Sequence, residues 1–286
     1  MINQETLEKI RLLAFDLDGT LLDGRSRLSD AVKAALTKAT EAGLNVVIAT
    51  GRAISTIPDE ILHFPGIRYA VTSNGARTFD LHTGDVIYEN LLSAEAVEAA
   101  MPWISDPDVM KELFFDSNVL ADGHALLDLP RYGIVDEHRQ HYHLTTRRPC
   151  DDTIRVLREK ADRMENINLI FADMEKRKRY LEELKCIEGI TVCSSIPYNI
   201  EIGGATTSKA NALRVLAEGL GMGPDNMMAF GDSTNDARML QCAAVGVAMG
   251  NAVDELRELA DWITLPNTDD GVAFALKSLL GISIEA

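Results

Sequence analysis

Positive charge is scarce in this chain: 28 lysines and arginines stand against 44 aspartates and glutamates, a net charge of −16 over 286 residues. Such a field repels polyphosphate backbones and anionic lipid surfaces, which disfavours nucleic acid and membrane partners. It also opposes small anions, so a phosphate-bearing ligand has to be held by cations, metal ions or backbone N–H groups gathered locally. Cysteine is sparse, with Cys150, Cys186, Cys193 and Cys242 and no C-x-x-C pair. No disulfide framework is expected, and reduced thiols that serve as packing residues are the default. No run approaches the roughly 18 uninterrupted apolar residues of a membrane-spanning helix. The segment Met1 to Arg11, with Glu5, Glu8 and Lys9, lacks the basic and apolar regions of a secretory signal. These absences lead to the expectation of a cytoplasmic protein.

What is present is the composition of a globular chain, 46% apolar and 25% charged, long enough for two domains at roughly 150 residues each. Arg11-Leu-Leu-Ala-Phe15 is a short apolar run that stops at Asp16-Leu-Asp-Gly-Thr20, the pattern of a buried strand with carboxylates at its carboxyl end. A helix follows, with Ser29 as N-cap, Val32, Leu36 and Ala39 at helical spacing, and Gly43 as the terminating glycine. Asn45 to Thr50 and Tyr69 to Ser73 repeat the strand pattern. The alternation predicts an α/β fold, a Rossmann-like three-layer core with a parallel sheet and a ligand crevice at the strands' carboxyl ends.

From Thr83 to Asn199 the pattern changes to α+β. Helices are predicted near Ala94 to Met101, Thr153 to Glu165 and Met174 to Leu184, with strand-like pieces at Leu113 to Phe115 and Val119 to Leu120. The α/β rhythm then resumes with a helix from Ser208 to Leu220, a strand Met227 to Phe230 ending at Gly231-Asp232, a helix over Asp236 to Cys242 and a strand Ala244 to Ala248. Closing helices are expected at Val253 to Ala260 and Val272 to Leu280. The expected organisation is a discontinuous core, residues 1–82 and 200–286, with an inserted α+β cap at 83–199.

Asp16 and Asp18 at a strand end supply one carboxylate able to attack or bind metal and another able to exchange a proton. A bare D-x-D-G is also an ordinary turn, and an EF-hand is excluded because Gly19 comes too early and Arg27 occupies the twelfth loop position. Taken singly, Thr50 reads as a strand-end hydroxyl and Lys209 as a solvated first-turn residue. Together with Gly231-Asp-Ser-Thr-Asn-Asp236 they make a site, because each lies at a strand end or helix start of the same domain. Gly203 to Lys209 is not a P-loop: Ser208 replaces the second glycine and Ala210 the metal-binding hydroxyl.

These residues resemble the haloacid dehalogenase superfamily of phosphatases, and within it the Cof-type hydrolases with a large cap between the second and third motifs. Phe15-Asp-Leu-Asp-Gly-Thr-Leu21 resembles the first motif, Ile48-Ala-Thr-Gly-Arg52 the second, Ser208-Lys209 the third and Gly231 to Asp236 the fourth. Val247 to Ala252, Asp269 to Val272 and Ser73 to Ala76 are similar to further core segments. The resemblance implies Asp16 as the nucleophile that forms an aspartyl-phosphate and Asp18 as the acid and base. It implies Thr50, Gly51, Lys209 and Asn235 around the phosphoryl oxygens, and Mg²⁺ held by Asp16, the Asp18 backbone carbonyl, Asp232 and Asp236, the last directly or through water.

Elementary electrostatics agrees with such a division of labour. A carboxylate approaching a phosphate meets repulsion of about 4 kcal/mol per unit-charge pair at 4 Å and an effective dielectric near 20, which a hard divalent cation and the Lys209 ammonium can offset.

In the cap, Arg139, Arg147 and Arg148 with His138, His141 and His143 read as an exposed loop, and a zinc site there lacks the expected ligand spacing. Glu175 to Arg179 reads as a solvated helix face. The function implied is Mg²⁺-dependent hydrolysis of a small phosphorylated metabolite of the sugar phosphate, pyridoxal phosphate or flavin mononucleotide class. A phosphomutase, and a non-catalytic metabolite-binding protein on the same scaffold, are the alternatives.

Overall fold

The computed structural model describes Ile2 to Ile282. It divides into two compact units. The first comprises the described residues up to Thr50, Ile57–Tyr88 and those from Lys209 on, and the second Gly51–Thr56 and Glu89–Ser208.

The first unit is built on an eight-stranded sheet in the order Trp262–Ile263, Val245–Ala248, Met227–Gly231, Leu12–Phe15, Asn45–Ala49, Tyr69–Thr72, Arg77–Asp80 and Asp85–Glu89. The first six strands are parallel, but Tyr69–Thr72 and Arg77–Asp80 are antiparallel, so the sheet is mixed where an all-parallel one was expected. The difference arises because Ser73–Gly75 forms a tight 3-10 turn, with Asn74 at φ 56°, that reverses the chain without a crossover helix.

Leu12–Phe15 is buried at every position, as a central strand covered on both faces requires. Leu12, Ala14, Val47 and Ala229 pack with Leu213 and Leu216 of the helix Lys209–Gly219 and with Met239 and Leu240 of Ala237–Cys242. The helix Asp30–Glu41 starts where Ser29 Oγ accepts from Val32 N–H at 3.1 Å and ends before Gly43, whose φ of +84° suits glycine.

The second unit carries a six-stranded sheet in the order Ile190–Cys193, Asn199–Gly204, Met164–Phe171, Val109–Phe115, Asn118–Asp122 and Arg148–Cys150. One face is apolar: Leu113, Ile167, Leu169, Ile200 and Ile202 pack against Val97, Met101 and Ile104 of the helix Ala94–Ile104, and against Leu157 and Leu184. The opposite face places Glu112, Asn166, Asn168, Asn199 and Glu201 out of solvent. The strand Asn199–Gly204 thus pairs within this sheet.

Three expectations for this region are corrected. The helix expected to reach Glu165 stops at Glu159, and after a 3-10 turn Met164–Phe171 is a strand. Asn166, Asn168 and Ile170 alternate with Ile167, Leu169 and Phe171, which is period-two patterning with every position buried. The basic cluster is not an exposed loop. It is the helix Glu137–Thr146 and the residues after it, where His143 Nδ1 lies 2.8 Å from Glu112 Oε1 and Arg147 Nε donates to the same oxygen at 2.8 Å. His138, Arg139, His141 and Arg148 are exposed. Burial pushes the Glu112 carboxyl up, but the Arg147 guanidinium and His143 outweigh it and hold the group well below the usual carboxylate range.

Nor is Glu175 to Arg179 wholly solvated. Lys176 Nζ donates to Asp106 and Asp108, and the half-buried Arg177 donates to the Asn199 carbonyl at 2.9 Å and Ser194 Oγ at 2.8 Å.

Candidate active site

The parallel pairing of Leu12–Phe15 with Met227–Phe230 fixes what meets at the sheet's carboxyl edge. Phe15 is in register with Phe230, and Asp16 N–H donates to the Phe230 carbonyl at 3.0 Å. Asp16 and Asp232 therefore leave adjacent strand ends. Carboxylate oxygens of Asp16, Asp232 and Asp236 lie within 4.8 Å of one another, the one such cluster of possible metal ligands among the described residues.

Lys209 opens its helix with its side chain 1% exposed, and its Nζ donates to Asp16 Oδ1 at 2.6 Å and Asp236 Oδ1 at 2.7 Å. Asp236, fully buried, accepts on its other oxygen from the backbone N–H groups of Asp232 and Ser233, each at 3.1 Å. It thereby shapes the loop that carries Asp232.

Charge crowding is legible in the proton affinities. Burial drives the Asp16 carboxyl well above its usual value; Lys209 opposes this, and the neighbouring aspartates reinforce it. Burial and Asp236 push Asp232 up to about 7, against Lys209. Burial alone would lower Lys209, but Asp16 and Asp236 overcome it and hold the ammonium charged.

A model of the haloacid dehalogenase-like hydrolase family matches residues 13–276. The chain belongs to this family.

The relatives of this hydrolase include 5-amino-6-(5-phospho-D-ribitylamino)uracil phosphatase YcsE of Bacillus subtilis, 31% identical over 277 residues, which cover 94% of this chain and 95% of that protein. A second enzyme of that name, YwtE of Bacillus subtilis, is 32% identical over 288 residues, covering 95% and 98%. A solved haloacid dehalogenase-like hydrolase from B. subtilis superposes with a TM-score of 0.83 at 29% identity, covering 94% of this chain and 99% of that one. The hydrolase is accordingly a phosphoric monoester hydrolase of the Cof type. No helix among its described residues is long and apolar enough to cross a membrane.

The remaining residues singled out in the sequence sit as follows. Thr50 lies at the end of Asn45–Ala49, its N–H donating to the Val71 carbonyl at 2.8 Å and its carbonyl accepting from Asn74 N–H at 3.0 Å. Asn235 donates to Asn74 Oδ1 at 3.2 Å, and its own buried side-chain oxygen has no partner among the described residues. Asp18 is exposed, and its carboxylate is not part of the three-aspartate cluster. Gly51 belongs with the second unit.

Four contributors escaped the sequence reading. Thr20 Oγ1 and Ser233 Oγ each donate to Asp232 at 3.2 Å, and Asn74 orients Asn235. Gly19, at φ +84°, has no room for a side chain, since a Cβ there would lie 2.5 Å from Asp232 Oδ2. Thr20 and Gly19 stand inside the quoted first motif and Ser233 inside the fourth, so adjacency to the acids was the available signal; nothing in sequence links Asn74 to Asn235.

The donor set fits Mg²⁺. It is all oxygen, as a hard cation prefers, and three carboxylates with one ammonium leave −3 + 1 = −2, which a divalent ion balances.

Proposed function

We propose that this phosphatase hydrolyses a small phosphorylated metabolite, of the sugar phosphate, pyridoxal phosphate or flavin mononucleotide class, with Asp16 as nucleophile. The observation that carries the reading is the convergence of Asp16, Lys209 and Asp232, from three distant segments, on one buried point. The first unit acts as the catalytic core and the second as the substrate-selecting cap.

Asp16 Oδ1 is held by Lys209, whose charge favours the ionised carboxylate against the effect of burial and leaves Oδ2 to attack phosphorus. The P–O bond to the alcohol breaks as the Asp16–phosphorus bond forms. Asp18 delivers a proton to the departing oxygen and then removes one from the water that hydrolyses the aspartyl-phosphate. Lys209, Thr50, Gly51 and Asn235 receive the phosphoryl oxygens, with Asn74 holding the Asn235 side chain. Asp16, the Asp18 carbonyl and Asp232 would hold Mg²⁺, with Asp236 fixing the loop of Asp232. When bound, the ion neutralises charge between nucleophile and phosphate.

The test is a screen of phosphorylated metabolites for phosphate release with Mg²⁺, with EDTA and with Asp16→Asn. Release that persists in the Asp16→Asn protein sinks the nucleophile assignment, and isomerised product in place of free phosphate would make the enzyme a mutase.

A further inference from the structure

Two asparagines of the first unit hold main-chain carbonyls of the loop that carries Asp18. Asn251 Nδ2 donates to the Gly19 carbonyl at 2.9 Å, and Asn267 Nδ2 donates to the Leu22 carbonyl at 2.7 Å. The two are joined, since Asn251 Oδ1 accepts from Asn267 N–H at 2.9 Å. Both ends of the Asn251 amide are therefore engaged, although the residue is exposed and water could satisfy it without restricting its side chain. The backbone around Asn251 is pinned on either side: Met249 N–H donates to the Gly231 carbonyl and Val253 N–H to the Asp232 carbonyl, each at 3.0 Å, and Gly250 N–H donates to the Leu265 carbonyl at 3.1 Å. Gly250 has no room for a side chain, because a Cβ there would lie 2.6 Å from Pro266 N. That close approach sets Asn251 beside Asn267.

Gly19 is the weak point that this clamp addresses. Its φ of +84° and its approach to Asp232 exclude a side chain, yet glycine has the least intrinsic preference for any one backbone conformation. The direction of a carbonyl follows ψ of its own residue, so the bond from Asn251 fixes the plane of the Gly19–Thr20 peptide. Thr20 then donates through Oγ1 to Asp232 at 3.2 Å. Further along, Leu22 N–H donates to the Leu17 carbonyl at 2.9 Å, and Leu22 pairs with Asp18 as an isolated parallel bridge. The bond from Asn267 to the Leu22 carbonyl thus stiffens the stretch that lies alongside Asp18. Asp18 is exposed, so its direction depends on the backbone that bears it rather than on a packed surround.

We propose that Asn251 is a positioning residue for Asp18: by holding the Gly19 carbonyl it fixes the backbone from which Asp18 delivers its proton to the departing oxygen. This role rests on the reading of Asp18 as the acid of the Asp16 reaction and adds the group that keeps that acid in place. A reacting group displaced by about 1 Å loses rate by about 100-fold, and for a proton donor the loss falls on esters whose leaving oxygen needs the proton.

The experiment measures kcat/KM with Mg²⁺ for ribitol 5-phosphate, whose leaving alkoxide needs a proton, and for p-nitrophenyl phosphate, whose phenolate departs unaided. The proteins are the wild type, Asp18→Asn, Asn251→Ala and Asn251→Asp, with folding read by circular dichroism. Asn251→Ala removes both side-chain bonds, whereas Asn251→Asp keeps the acceptor for Asn267 N–H and sets an oxygen against the Gly19 carbonyl. Both esters carry the same phosphate charge, so an effect of the added carboxylate on phosphate binding cancels in their ratio. Each Asn251 variant should lose about tenfold more on ribitol 5-phosphate than on p-nitrophenyl phosphate, in the same direction as Asp18→Asn and to a smaller extent. An asparagine that served the fold alone would slow both esters alike. A folded Asn251 variant whose losses on the two esters match, while Asp18→Asn stays selective, overturns the proposal and leaves the acid assignment standing. Equal losses on both esters in Asp18→Asn, or a wild type that does not cleave ribitol 5-phosphate, overturn the acid assignment and the proposal with it.

Discussion

Replacing Lys209 by methionine keeps the approximate volume of the side chain and removes its charge from between Asp16 and Asp236, 2.6 and 2.7 Å away. Breaking a buried ion pair by deleting one partner costs about 3–5 kcal/mol, because the remaining charges stay buried and uncompensated. At roughly 2–4 °C per kcal/mol for a domain of this size, Tm in EDTA should fall by about 6–20 °C.

The loss also acquires a pH dependence of known sign. Asp16 already sits well above its usual value, raised by burial and opposed by Lys209; without the lysine it rises further. The folded state then binds more protons than the unfolded chain, so the variant's deficit grows as pH climbs past the ordinary aspartate value of about 3.9 and through the raised one. Thermal unfolding of wild type and Lys209→Met in EDTA at pH 6 and 8 reads this directly, and added Mg²⁺ should narrow the gap by restoring positive charge. A variant within about 1 °C of wild type at pH 8, or one more impaired at pH 6 than at pH 8, would refute the account of the lysine as the counter-charge of the cluster.

Asp16→Asn should eliminate phosphate release at any Mg²⁺ concentration, with retained folding shown by circular dichroism. Chelation with EDTA should abolish turnover of the wild type and Mg²⁺ restore it, followed by a phosphate-release assay. Glu112→Gln strips Arg147 and His143 of their shared carboxylate and should destabilise the second unit by about 3–5 kcal/mol at pH 7. Because the Glu112 carboxyl is held below its usual range, its stabilisation is present above the unfolded value of about 4.3 and fades as pH falls toward the depressed one. Urea titrations at pH 7 and 3.5 should therefore show the Gln variant's deficit shrinking on acidification. Tyr142→Leu loses two guanidinium–ring contacts and should cost about 1–3 kcal/mol in chemical denaturation, whereas Tyr142→Phe keeps the ring and most of the stability.

The strand Leu12–Phe15 was legible because a centrally buried parallel strand has to be apolar at successive positions and stop abruptly where the chain turns polar. The same logic exposed Met227–Gly231 and Val245–Ala248, and the acids following the first two of these runs marked the site. The strand Met164–Phe171 was missed because its polar members are buried, with partners distant in the chain, as Asn168 has in Glu112 and Glu165 in Ser117, so local hydrophobicity misreports burial. For the same reason His143 and Arg147 were taken for a loop, although Glu112 draws both inside.

Sequence alone supplied the identities and chain order of the groups proposed to react, since oxygen ligands, a lysine and a hydroxyl at strand ends are requirements of phosphoryl chemistry written as residue types. Tertiary structure decided which of them are neighbours. Parallel pairing sets Asp16 beside Asp232 across a separation of 232 − 16 = 216 positions, and helix placement buries Lys209 between Asp16 and Asp236. It also decided that the Asn166 side-chain oxygen is buried with no donor among the described residues, because burial and hydrogen bonding depend on tertiary packing and leave no mark on a residue's immediate neighbours.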